Sequence, residues 1–158
     1  MLSARLVKVI EEHAEQLTRD VLKDLASNPR TPAYHRIPPE ELHRRAYDVY
    51  HNLGRWLGDN TEDHVEATYG GLGRARCAEG VPLSEVVYAL VLIKDHLRQY
   101  IRAVGLVDSA VELYLEEELH LSIGSFFDRA LYHTVKGYEA EATSQGAVTA
   151  APGTARSG

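Results

Sequence analysis

The chain has 158 residues, 44% of them hydrophobic and 25% charged, and a formal net charge of −6. That length suits one domain with a core large enough to need no staples. The mild acidity argues against sequence-independent binding to phosphate backbones or to an anionic membrane, and the single cysteine, Cys77, excludes an intramolecular disulfide and a thiolate metal site.

Apolar residues recur at helical spacing along most of the chain, which predicts an all-α fold, a single bundle of about five helices. The first runs from about Ser3, a candidate N-cap, to Ser27 on the stripe Leu6, Ile10, Ala14, Leu17, Val21, Leu25. Pro29 and Pro32 end it. The second runs from about Pro39 to Gly58, with Pro39 in the first turn and Glu40 and Glu41 at the positive end of the helix dipole. Its stripe, Leu42, Ala46, Val49, Leu53 and Trp56/Leu57, is the cleanest in the chain. The third spans about Thr61 to Glu79, weakened by Gly70, Gly71 and Gly73, and Gly80 suits the position just past its end. The fourth, from near Pro82 to before Gly105, is apolar over so much of its circumference that it reads as the central helix. The fifth starts at Asp108-Ser109 and runs to about Ala142 on Leu115, Leu119, Ile123, Phe126, Ala130 and His133. The domain is therefore read as 1–143, and the Ser/Gly/Ala/Thr/Pro-rich 144–158 as a disordered tail or linker. The N-terminus lacks the apolar core of a signal peptide, and the apolar run Val86–Ile93 is too short to span a bilayer. With one cysteine, this points to the cytoplasm.

Two Glu-x-x-His pairs, Glu40/His43 and Glu117/His120, resemble the ligand pattern of di-iron bundles. Such a centre needs both side chains turned inward. On a helical wheel His43 and Glu40 lie about 80° and 140° from their stripe centre, and His120 and Glu117 about 90° and 150° from theirs. The pairs therefore belong to a solvated face, and no metal ligand is assigned.

His13 and His133 fall within apolar stripes. A buried imidazole needs a partner, either a tyrosine or carbonyl of the core or a ligand. Haem is the alternative cofactor, with His133 first and His13 or His96 next as axial ligand. The glycine-rich segment Tyr69–Arg76 is no nucleotide loop, for it lacks the Gly-Lys-Ser/Thr ending and follows no strand. Its glycines let another backbone or a ligand come close. Arg76 lies on the inward side, where it wants a carboxylate from another helix or an anionic ligand. Tyr69 and Tyr100 lie near core stripes. His13, Tyr69, Arg76, Tyr100 and His133 are thus the candidate pocket residues. No catalytic constellation emerges: Cys77 has arginine neighbours but no His/Asn context, and reads as a small buried hydrophobe.

The order of segments carries a resemblance. Ile10-Glu11-Glu12-His13, a Pro-rich break and Pro39-Glu40-Glu41-Leu42 precede Gly73-Arg74-Ala75-Arg76-Cys77-Ala78-Glu79-Gly80-Val81-Pro82-Leu83-Ser84-Glu85-Val86. Over about residues 2–140 this resembles the N-terminal sensor domain of RsbRD-type RsbT co-antagonists, with Gly-x-x-Arg-x-x-x-Gly-Val-Pro-Leu-Ser-Glu as the most specific piece. The resemblance implies a non-enzymatic, all-helical input domain in stress signalling, upstream of a STAS, kinase or transcription output. The related RsbR-type sensor is globin-like without haem, so globin-like crossings and a near-parallel bundle both stand open. It also implies a homodimer or a complex with an output protein, and a small-molecule ligand, while the mild acidity points to no nucleic acid or membrane partner. No output domain follows in this chain, which is either a single-domain member or a fragment. The resemblance supplies no ligand motif.

Overall fold

The computed structural model describes residues 4–59, 61–104 and 109–149, with side chains to residue 146. Among them every regular element is a helix: α1 (Ala4–Glu12), α2 (Ala14–Ser27), a 3₁₀ turn (Pro32–Arg36), α3 (Pro39–His51), α4 (Leu53–Trp56), α5 (Glu62–Ala78), α6 (Leu83–Val104) and α7 (Ala110–Thr149). The all-α expectation holds, and two of the five expected helices are each broken once.

The first break falls at His13, whose φ of −106° and ψ of 18° bend the chain between α1 and α2. The bend costs little bonding. The His13 amide still donates to Val9 O and Ile10 O at 3.1 Å, and its Nδ1 donates to Val9 O at 2.8 Å. It lets the two halves of one apolar stripe bury against different partners. Leu6 and Ile10 of α1 face α3 and α4, while Leu17, Val21 and Leu25 of α2 face α3, α6 and the 3₁₀ turn. His13, read above as part of a buried stripe, is exposed for this reason. At its far end α2 stops at Asn28, which is extended (ψ 125°) as a residue before proline prefers.

The second break is at Asn52 (φ −111°, ψ 28°), which separates α3 from α4. Its side-chain amide donates to Asp48 Oδ1 at 2.9 Å, and the Gly54 amide at the new helix start donates to Glu11 Oε2 of α1 at 3.2 Å. Thr61 stands at the N-cap of α5, but its hydroxyl donates to Gly58 O at 3.3 Å instead of capping. Gly80 takes a φ of 76°, the left-handed conformation that ends a helix at low cost only with glycine.

Ser3 and Asp108 lie outside the described residues. Ser109 caps α7, accepting the Glu112 N–H at 3.1 Å. This helix runs on through Thr149, past the expected end near Ala142, so the first residues of the segment read as a tail continue it. The remainder, 150–158, lies outside the described residues. The fourth expected helix, α6, is central: it touches α2, the 3₁₀ turn, α5 and α7. At the core Trp56, Tyr69 and Phe126 meet one another with ring centroids 5.4–5.8 Å apart, and Phe127 meets Phe126 at 5.0 Å. These are the offset and edge-on arrangements that aromatic quadrupoles favour.

Candidate functional site

The most specific sequence segment, Gly73–Glu85, forms a hub that joins five elements. Gly73 meets the backbone of α7 directly; a Cβ there would stand 2.7 Å from Tyr138 N and 2.9 Å from Thr134 C, and its clash with Thr134 O would be closer still. Gly137 opposite it meets the backbone at Gly70 in the same way. Of the two readings of the glycine run, the approach of another backbone is the one realised. Beyond Gly80, the buried Val81 amide donates to Arg76 O at 3.0 Å, and its carbonyl accepts the Tyr138 hydroxyl of α7 at 2.6 Å. Glu85, the buried last residue of the motif, accepts the Ala33 amide of the 3₁₀ turn at 2.7 Å.

Arg76 is the charged centre of this hub, 1% exposed. Its Nη2 donates to Glu41 Oε2 at 2.7 Å and its Nη1 to Glu79 Oε2 at 3.0 Å. Its guanidinium carbon stands 5.4 Å from the centroid of the Tyr34 ring, a cation–π contact. Glu41 also accepts Arg45 Nε at 2.7 Å. Burial works to raise the Glu41 carboxyl, but the bonds from Arg76 and Arg45 outweigh it and hold the group below its ordinary range. Burial raises the Tyr34 phenol, against the opposing charge of Arg76. The sequence singled out Arg76 and an interhelical carboxylate. It missed Tyr34, Glu41 and Glu85 as members, and only the presence of Glu41 and Glu85 in the segments that carry the resemblance signalled any of them.

The five candidate pocket residues do not converge on one site. His13 and Tyr100 are neighbours, with ring centroids 6.1 Å apart at the α1–α2 bend, and Tyr100 is half-buried. Tyr69 is buried in the aromatic core, where burial pushes its phenol well above the usual tyrosine range. Arg76 sits in the hub. His133 lies on the α5–α7 seam, where its Nε2 donates to Glu62 Oε1 at 2.6 Å. That bond is the main cause that lowers the Glu62 carboxyl, with Arg129, 3.4 Å away, assisting.

Haem asks for an apolar slot before a free imidazole nitrogen. The cleft beside His133, about 250 Å³, is lined by Glu66, Arg74 and Lys136, and the ring's Nε2 is committed to Glu62. His96 Nε2 is bonded to Asp24 Oδ2 at 2.9 Å. His13 is exposed. These residues do not fit the group. The Glu-x-x-His pairs do not form either: Glu40 and Glu117 are exposed, and His120 lies 3.7 Å from Glu116 instead. Among the described residues no three His, Cys, Asp or Glu gather as a metal site. Cys77 is buried.

One surface stands out. Tyr114, Leu121 and Tyr132 of α7 are 58%, 69% and 60% exposed. Spacings of 7 and 11 residues are close to two and three helical turns, so the three share one face over roughly 27 Å. Val111 and Leu113, also exposed, widen its N-terminal end.

The fold is thus a small all-helical module whose buried charge cluster holds helices together and whose chief irregularity is an apolar surface stripe. The family model of the RsbT co-antagonist protein rsbRD N-terminal domain matches residues 11–151, and the chain belongs to that family, which is regulatory. No curated protein matches. No solved structure matches. Among the described residues no helix is long and apolar enough to cross a membrane.

Proposed function

We propose that the chain is a non-enzymatic sensory input domain in bacterial stress or signal transduction, acting by self-association and by contact with an output protein of the kind its family name gives, an RsbT-type partner. It works in the cytoplasm, in keeping with its single cysteine. Family membership gives the regulatory class. The observation that carries the mode of action is the exposed stripe Tyr114, Leu121, Tyr132. Aligned apolar side chains on one helix face mark an interaction surface more than scattered ones do. A two-fold dimer covers such a face with the same face of a second copy.

Sedimentation equilibrium across the micromolar range tests this. The wild-type chain is expected to show a dimer mass, and Leu121→Glu with Tyr132→Glu a monomer mass with an unchanged helical circular dichroism spectrum. A wild-type chain that stays monomeric and captures no RsbT-type protein overturns the reading.

A further inference from the structure

A cavity of about 30 Å³ lies beside the hub. Its walls come from the 3₁₀ turn, α2, α3, α5 and α6, and include Leu25, Leu72, Leu90 and Ile93 together with Arg45 and Arg76. Both terminal nitrogens of Arg76 are bonded to carboxylates, yet its Nε is buried without any hydrogen-bond partner. Polar groups this deep are nearly always satisfied. One of the side chains lining the cavity thus carries an unanswered N–H donor, and the wall is otherwise mostly apolar.

We infer that this cavity binds a small neutral molecule with one hydrogen-bond acceptor and a short apolar body, a short-chain ketone or alcohol. Charge excludes an anion. Arg45 and Arg76 are already matched by Glu41 and Glu79, so a further negative charge would be buried without a counterion. What Nε lacks is an acceptor. Size sets the length: one water occupies about 10–15 Å³ by this measure, so the space takes the bulk of about two to three waters and admits only the smallest members of these classes. A ligand there touches the five elements that wall the cavity, four of which the hub also joins, and so bears on how they sit together. This assignment rests on the reading of the chain as an input domain. The dimer mass does not involve the cavity, so the two can fail separately.

The full chain is titrated with acetone and, separately, with dimethyl sulfide, a weak acceptor of similar shape, while methyl and arginine-Nε NMR signals are followed. Acetone is expected to give saturable shifts at the methyls of Leu25, Leu72, Leu90 and Ile93 and to move the Arg76 Nε–H signal. Dimethyl sulfide is expected to leave the Nε–H signal in place. Ala89→Leu, which fills the cavity wall, should abolish the acetone response; Ala46→Val replaces it if that chain loses helicity. The inference is overturned by non-saturable shifts, by methyl shifts without movement of Arg76 Nε–H, or by an undiminished response in a folded filling variant.

Discussion

Gly73 of α5 lies directly against the Thr134 carbonyl of α7, with no room for a side chain between the two backbones. Gly137 repeats the relationship from the other helix, against Gly70. This crossing lies within the most extensive helix–helix contact among the described residues, that of α5 with α7.

Gly73→Ala is expected to cost about 3 kcal/mol, at the upper end for overpacking, because the obstructing atoms are backbone and cannot swing away. The gain in helix propensity, about 1 kcal/mol, does not offset this. Gly71→Ala is the matched control. A Cβ there meets nothing within 4 Å, so the variant should gain up to about 1 kcal/mol. Denaturant midpoints, followed by the fluorescence of Trp56, the single tryptophan and 1% exposed, measure both. Equal effects at the two glycines would remove the backbone crossing as the explanation.

Arg76→Met leaves Glu41 and Glu79 without their buried partner. Breaking a buried ion pair costs about 3–5 kcal/mol. The two carboxylates are 26% and 45% exposed and Glu41 keeps Arg45, so the lower end of that range is expected. The double variant Arg76→Met/Glu41→Gln should cost less than the sum of the single changes, since both break the same bond. Strict additivity in unfolding free energies would mean that the pair is not coupled.

Tyr138→Phe removes the 2.6 Å bond to the Val81 carbonyl that fastens α7 to the start of the Pro82 turn. A loss of about 1 kcal/mol is expected, the net worth of one hydrogen bond. Faster amide exchange should accompany it at Val81, whose N–H bonds to Arg76 O.

His120 gives the bundle a pH response. Burial first, and then the charge of Arg98, hold its imidazole below the ordinary value of 6.5, against the opposing pull of Glu116. A base lowered in this way binds fewer protons folded than unfolded, so its protonation takes stability away as pH falls from 6.5 towards its folded value. The stability of wild type relative to His120→Gln should therefore decline as pH falls from about 7 through the ordinary imidazole value. Glu41 acts lower on the scale. Its carboxyl is held below 4.5, so its contribution is present above that value and is lost as pH falls through the folded one. A constant difference between wild type and His120→Gln over the upper range would refute the assignment.

Local patterns made most of the helices legible. The stripe of α2, the prolines at Pro29 and Pro39, and Gly80 after α5 are signals whose cause lies within a few residues, and each appears where it was read. The same locality explains the failures. His13 is in step with its stripe, but the chain bends there so that α1 and α2 can bury against different helices, and a periodicity cannot show a change of partner. His133 is in step too, yet it reaches an exposed carboxylate, Glu62, instead of the core.

By itself the sequence determined the all-helical class, the family to which the chain belongs, the inward position of Arg76 and the outward turn of Glu40 and Glu117. Helical period and side-chain chemistry act over a few residues, and these follow from them. Only the tertiary structure decided what the glycines admit, which carboxylates hold Arg76, and that Tyr69, Arg76, His133 and the neighbouring pair His13 and Tyr100 do not converge on one site. Those outcomes depend on which helix faces each residue, and helices distant in sequence meet only when the whole core closes.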